Sequence, residues 1–384
     1  MNKKPKPIYL DYMATTPVDP RVATKMQFYL TDASTFGNAA SQHFYGYQAK
    51  AAIEDARAQV AGLINGDPNG IVWTSGATEA NNLAIKGAAY FYQRQGKHII
   101  TSKTEHKSVL DTCKYLENQG FNVTYLTPKH DGLIDINTLE QAIRPDTILV
   151  SIMHVNNEIG VIQDLTVIGE LTRSKGVLFH TDATQGVGKI PIDLQNLKID
   201  LLSFSAHKVY GPKGIGALYL RQQPKLHLVP QIHGGEHEQG LRSGTLPTHQ
   251  IVGMGEALQI AQQEMVTENQ RLLALREHLW QEISCLDNTH LNGSLTNRIA
   301  GNLNISFGDI DGELLSAALK DLALSTAAAC NKTQASHVLK ALAVPNELIF
   351  NTIRISLGRF TTKDEVDFAA KQIKEVVTKL RKSQ

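Results

Sequence analysis

The sequence predicts an α/β protein, with a mostly parallel sheet covered by helices and joined to a smaller second part. Three observations lead there. Between residues 70 and 220, short β-rich runs alternate with turns and helix-forming segments. Around residue 246 that alternation gives way to one long helix-forming stretch. The composition is that of a large packed core, with 42% hydrophobic residues in a chain of 384. Charge is balanced, Lys+Arg 38 against Asp+Glu 37 for a net +1. This argues against a nucleic-acid protein held by bulk positive charge. No apolar run approaches the ~18 residues of a membrane span, and the basic start, Met1 to Pro7, leads into no signal-peptide core. The expectation is a cytoplasmic protein that meets neither membrane nor nucleic acid.

The elements follow in order. Ile71–Thr74 reads as a strand and Ser75-Gly76-Ala77-Thr78-Glu79 as the turn into a helix reaching about Gln93. Residues 98–101 form a second strand and 108–118 a second helix. Residues 122–126, 147–153, 177–180 and 201–205 are further strands, with a helix over 165–174. Right-handed crossovers place the loops after these strands on one edge, where ligands bind. Residues 246–283 form the long helix. Leu272, Leu275, Leu279 and Ile283, with Leu286 just beyond, recur every three or four residues and give this stretch one apolar face. Strands over 299–307 and 352–357 and a helix over 363–380, lysine-rich at its end, complete the second part.

Several loop residues carry chemistry. Lys208 follows a strand and precedes a Gly/Pro loop, so it is placed to face a pocket where partial desolvation favours the reactive free amine; taken alone, the solvated loop lysine is the favoured reading. Asp182 ends a strand, and a buried carboxylate there needs a cationic partner such as a pyridinium nitrogen; an N-cap or turn role remains open. Gly76, Ala77 and Thr78 open a helix whose free N–H groups can cradle a phosphate, or simply cap it. His106 follows a strand and can stack on a flat ring or move protons, or be a satisfied buried histidine. Cys330 has small residues before it and polar ones after, a pattern that predicts an exposed loop and an accessible thiol. Cys113 shares a helical face with Val109 and Leu116, and Cys285 closes the long helix; three cysteines make no disulfide framework. His233-Gly234-Gly235-Glu236-His237 matches a zinc motif in letters only, because Gly-Gly beside Pro230 opposes the helix it needs. No metal is expected.

Together these residues resemble the pyridoxal phosphate (PLP)-dependent cysteine desulfurases of the NifS/IscS family, in the class V aminotransferase superfamily, and in particular bacterial IscS. The resemblance runs from Ile8-Tyr9-Leu10-Asp11-Tyr12-Met13-Ala14-Thr15-Thr16-Pro17 to Ile353-Arg354-Ile355-Ser356-Leu357-Gly358-Arg359. It includes His154-Val155-Asn156-Asn157-Glu158-Ile159-Gly160 and Arg242-Ser243-Gly244-Thr245. It implies a PLP-dependent transferase of fold type I. Residues 12–255 form the large PLP-binding domain; residues 1–11 and 256–384 form the small domain carrying the Cys330 loop. Lys208 holds PLP as a Schiff base, Asp182 keeps its ring nitrogen protonated, Gln185 contacts its ring hydroxyl and His106 stacks on it. Ala77, Thr78, Ser205 and His207 bind its phosphate. Thr245 reaches the phosphate in the neighbouring subunit of a homodimer. Asn157 and Arg354 hold the substrate carboxylate, a task suited to the guanidinium fork. Cys330 takes the sulfur of L-cysteine as a persulfide and L-alanine leaves.

The chain also departs from the IscS pattern. The run before Cys330 is Thr326-Ala327-Ala328-Ala329 in place of a Gly/Ser mixture, the loop after it is shorter, and His237 and Gln239 stand where glycine and arginine are usual. The sequence ends at Gln384, before the tail with which IscS enzymes dock an iron–sulfur scaffold. Sulfur acceptors are therefore expected among scaffold or tRNA-thiolation relay proteins, with the docking tail expected to be missing. Selenocysteine lyase, another class V PLP enzyme, and a catalytically weak sulfur-transfer scaffold are the competing readings.

Overall fold

The computed structural model describes residues 6–326 and 335–382. The chain opens with β1 (Ile8–Tyr9) and two helices, α1 (Pro20–Thr31) and α2 (Phe44–Leu63). Strands and helices then alternate: β2 (Ile71–Thr74), α3 (Ala77–Tyr92), β3 (His98–Ser102), α4 (Lys107–Glu117), β4 (Asn122–Leu126), α5 (Ile136–Ala142), β5 (Thr147–Ser151), α6 (Leu165–Ser174) and β6 (Leu178–Asp182). Two adjacent strands follow, β7 (Leu201–Ser205) and β8 (Gly216–Leu220). The 37-residue α7 (Thr248–Ser284) leads to β9 (Thr289–Leu291), β10 (Asn302–Phe307), α8 (Gly312–Ala318), β11 (Leu322–Ala323) and β12 (Ser325–Thr326). The last elements are α9 (His337–Ala341), α10 (Asn346–Ile349), β13 (Thr352–Ser356) and α11 (Lys363–Lys382).

Seven strands form the main sheet in the order β2-β8-β7-β6-β5-β3-β4. β8 runs antiparallel to both its neighbours, β2 and β7, while the other pairs are parallel. The parallel alternation matches the sequence reading. The antiparallel β8 is an addition: its Gly214-Ile215-Gly216 start hides a strand that is apolar throughout. Helices α1 and α2, absent from the 70–220 pattern, are also additions. Strands buried on both faces need helices on both sides. One face packs Ile53, Ala56 and Val60 of α2 and Ile251, Met254 and Leu258 of α7. The other packs Ala80, Leu83 and Ala84 of α3 and Val109, Cys113 and Leu116 of α4.

A second sheet, β12-β13-β10-β9, is antiparallel throughout. Its Leu303, Ile305 and Ile355 pack against Leu272, Leu279 and Ile283 of α7 and Val366 and Ile373 of α11. Thus α7 contributes its first half to one core and its second half to the other, which accounts for its length. Among the described residues no helix is long and apolar enough to cross a membrane.

One buried ion pair ties the sheet edge to the segment leading to Thr245. Arg57 of α2 donates to both carboxylate oxygens of Glu238, at 3.0 and 2.9 Å, and to the Ile71 carbonyl at 2.7 Å. Glu238 Oε2 also accepts the Trp73 N–H at 2.9 Å. These contacts hold Glu238 at φ 51°, an unusual conformation for a side-chain-bearing residue. Glu238→Ala leaves the buried Arg57 guanidinium with only Glu54 (3.1 Å) and the Ile71 carbonyl and strands the Trp73 N–H, and is expected to cost about 3 kcal/mol, measured as a lowered urea midpoint.

Candidate active site

The C-terminal ends of β2, β3, β5, β6 and β7 converge on a cavity of about 580 Å³. Asp182 is the last residue of β6 and Ser205 the last of β7, after which Ala206, His207 and Lys208 make one tight turn. Of the twelve residues singled out above, Ala77, Thr78, His106, Asn157 and Asp182 line the cavity. Gln185, Ser205, His207, Lys208 and Arg354 line it as well. Thr245 is exposed and outside this lining. Cys330 lies outside the described residues.

Lys208 Nζ donates to the carbonyls of Met13 (2.8 Å) and Ala14 (2.6 Å). Burial, together with the positive charge of Arg354, lowers its pKa from 10.5 to about 8. Asp182 is 4% exposed. Its Oδ2 accepts from Asn81 Nδ2 (2.8 Å) and its Oδ1 from the Thr184 N–H (3.0 Å). Asn81 Nδ2 also donates to Ser108 Oγ (2.8 Å), which sits 2.9 Å from His106 Nδ1. The Ser108 N–H donates to His106 Nδ1 at 3.1 Å and so makes that nitrogen an acceptor. The neutral ring therefore carries its proton on Nε2. Burial and the charge of Lys208 favour this neutral form by lowering the His106 pKa.

Asn81 and Asp11 escaped the sequence reading. Asn81 is a polar residue on the buried stripe of α3, four residues after Ala77, and that placement was the available signal. Asp11 shows its role only through Arg354. Arg354 Nη2 donates to Asp11 Oδ1 and to Ser325 Oγ, both at 2.7 Å, and Nη1 donates to the Asn157 carbonyl at 2.7 Å. Its Nε, and Asn157 Oδ1, are buried with no partner among the described residues.

The phosphate end is shaped by close backbone approach. Gly76 caps α3 at φ 153°, ψ 178°, a conformation essentially restricted to glycine, and offers no side-chain cap to the helix N–H groups. Gly216 of β8 lies behind it, and a Cβ there would stand 2.6 Å from the Phe204 carbonyl oxygen and 2.7 Å from Gly76 Cα. His207 is held at about 4 by burial and by Lys208 and Lys213, so it is neutral. The site thus fits PLP: uncapped helix N–H groups for the phosphate, an amine with a pKa near neutrality for the aldehyde, a buried carboxylate for the ring nitrogen, and Thr184 Oγ1 and Asn157 Oδ1 with no partner among the described residues. The H-x-x-E-H segment forms no α-helix, and the described residues hold no cluster suited to a metal. Cys113 is fully buried, with its thiol pKa pushed well up by burial, and Cys285 is exposed at the end of α7.

Two outcomes follow. Gly216→Ala is expected to press β8 onto Gly76 and weaken PLP binding by roughly ten-fold, or ~1.4 kcal/mol, in an absorbance titration. The rate of PLP uptake by the apoprotein is expected to rise with pH up to about 8 and then level, because only the free amine of Lys208 reacts. A rate still climbing toward pH ~10.4 would show an unperturbed lysine.

Comparison with known proteins agrees with this geometry. The family described as "Aminotransferase class-V" matches residues 8–368. Cysteine desulfurase IscS of Photorhabdus laumondii and that of Pseudomonas aeruginosa are each 60% identical over 378 residues, covering 98% of this chain and 94% of theirs. Among solved structures, a NifS-like protein superposes with a TM-score of 0.91 at 37% identity, over 97% of this chain and all of that one. A structure described as SspA in complex with cysteine superposes with 0.81 at 40% identity, over 92% of this chain and all of that one. The fold is that of the PLP-dependent transferases of fold type I, and the chain belongs to the class V aminotransferase family, among its NifS/IscS-type cysteine desulfurases.

Proposed function

We propose that this protein is a cysteine desulfurase that converts L-cysteine to L-alanine and leaves the sulfur on Cys330 as a persulfide for transfer. The observation that carries this reading is the pairing, in one cavity, of the Lys208 amine near neutrality with the buried carboxylate of Asp182, beside the uncapped start of α3. PLP, when bound, supplies an electron sink for the substrate α-carbon. Ala77, Thr78, Ser205 and His207 would hold its phosphate, Asp182 would accept a hydrogen bond from its protonated ring nitrogen and keep it protonated, and Gln185 would meet its ring oxygen. The neutral His106 ring, which lines the cavity, would stack on it. Lys208, with a pKa of about 8, suits the transfer of the α-proton close to neutral pH.

Arg354 and Asn157 receive the substrate carboxylate. Their unpartnered Nε and Oδ1 mark the unfinished hydrogen bonds there, and Asp11 neutralises the guanidinium until a carboxylate arrives. The thiolate of Cys330 attacks the substrate sulfur. An S–S bond forms, the substrate C–S bond breaks, and the carbon left behind is protonated to alanine. The balance is cysteine plus thiol giving alanine plus persulfide, with no external oxidant. Thr326 and Ala335, which flank the segment containing Cys330, both line a cleft of about 790 Å³ that shares His106, Asn157 and Arg354 with the cofactor cavity. This supports access of the thiol to the substrate.

The same reading takes the chain as a homodimer. Exposed Thr245 is assigned to the partner's phosphate, and exposed Phe36, Phe44, Tyr45 and Tyr47 supply an apolar contact. Residues 12–255 act as the PLP-binding domain, and 1–11 with 256–384 as the smaller one. A protein whose product is a persulfide works in a reducing compartment, the cytoplasm, and passes sulfur to a scaffold or thiolation relay protein. Cys330→Ala is expected to keep the visible absorbance of bound PLP and to lose persulfide and sulfide formation from cysteine. Sulfide release undiminished in that variant would overturn the assignment.

A further inference from the structure

Lys189 is a charged residue that none of these roles uses. It ends a series of tight turns after β6, in which the N–H groups of Gly186 and Val187 donate to the Ala183 carbonyl and those of Lys189 and Ile190 to the Gly186 carbonyl. These turns bring Lys189 back beneath Gln185. Its Nζ donates to Gln185 Oε1 at 2.8 Å. Gln185 is 3% exposed, lines the cofactor cavity, and donates from Nε2 to the Met13 carbonyl at 2.9 Å. That same carbonyl receives Lys208 Nζ. The Lys189 carbonyl accepts from Asn269 Nδ2 of α7 at 2.5 Å, which fixes its backbone.

We propose that Lys189 is a positioning residue for the cofactor ring, holding the Gln185 amide in the one orientation that leaves an N–H for the cavity. A backbone carbonyl only accepts, so the Met13 contact assigns Nε2 to that end of the amide, and the Lys189 amine, which carries N–H donors in either protonation state, takes Oε1 at the other. Nε2 carries two hydrogens. One goes to Met13, and the second remains for an acceptor in the cavity, the class of atom that a ring oxygen presents. Turning the amide over would set its oxygen against the Met13 carbonyl and its NH₂ against the Lys189 ammonium. When Lys208 leaves the Met13 carbonyl to engage the cofactor, Lys189 still holds the far end of Gln185. Burial and the like charge of Lys208 draw Lys189 down to about 7, while Glu268 opposes this and favours the charged form. The inference rests on the reading of the cavity as a PLP site.

The test uses the full-length protein, stripped of cofactor and titrated with PLP while visible absorbance and induced visible circular dichroism are followed. Lys189→Met is expected to weaken PLP binding by roughly ten-fold, the effect of losing a hydrogen bond to a charged donor, and to diminish the induced dichroism. Lys189→Arg, which keeps a donor, is expected to restore most of both. In a Gln185→Ala background Lys189→Met is expected to add no further loss. If Lys189→Met does not fold, Lys189→Gln carries the same comparison, with a smaller loss that also vanishes in the Gln185→Ala background. Binding and dichroism unchanged in the single variant, or an equal loss with and without Gln185, overturns the inference alone. A wild-type chain that takes up no PLP overturns the cofactor reading and this inference with it.

Discussion

A carboxylate and an amine buried at the ends of neighbouring parallel strands set the terms for the rest of this structure. Asp182 on β6 and Lys208 just beyond β7 both lose water on folding. Each loss is costly unless a partner supplies what water did. The chain meets the cost by distributing it. Asn81 and the Thr184 N–H stabilise the carboxylate, and the carbonyls of Met13 and Ala14 receive the amine. The desolvation that remains keeps the lysine reactive, so what burdens folding is also what prepares the chemistry.

This arrangement requires the first residues of the chain. Met13 and Ala14 come from a segment that crosses the mouth of the large sheet, and Asp11 in that segment pairs with Arg354 of β13. Ser356 closes the same contact, its N–H donating to the Leu10 carbonyl and its Oγ accepting the Met13 N–H. The two cores are thus connected at the site by the N-terminal segment and at the back by α7, which packs against both. A substrate carboxylate meeting Arg354 is therefore felt at a junction of both sheets, beside the Lys208 amine.

Backbone approach matters as much as side-chain chemistry. The cradle at α3 exists because Gly76 adopts an extended positive-φ conformation and Gly216 lets β8 lie directly behind it. Polar side chains then extend the site outward in linked hydrogen bonds: Asp182 to Asn81 to Ser108 to His106 on one side, and Lys189 to Gln185 to the Met13 carbonyl on the other. Linked networks of this kind rigidify a site, and in the first of them Asn81 Oδ1 has no partner among the described residues.

The sequence alone determined the strand–helix alternation, the long helix α7 and, at the cavity, Ala77, Thr78, His106, Asp182 and Lys208, because each rests on local signals: hydrophobic period, glycine at a turn, and a polar residue where a strand ends; Asn157, Gln185, Ser205, His207 and Arg354 were legible only through the resemblance to a family. The apolar face of 272–286 and the helix over 165–174 were legible in this way. So was the position of Lys208, since a strand ending in Ser-Ala-His-Lys before Gly-Pro delivers its lysine to the strand ends. Only the tertiary structure decided the antiparallel placement of β8, the pairing of Asp11 with Arg354, the part played by Asn81, and the hold of Lys189 on Gln185. Strand direction in the sheet depends on which neighbours supply hydrogen bonds, and Asp11 and Arg354 lie 343 positions apart. Even the Gln185–Lys189 contact, only four residues long, depends on the Met13 carbonyl arriving from the other end of the chain. Such interactions have no local signature, because the partner that gives each residue its role is brought to it only by folding.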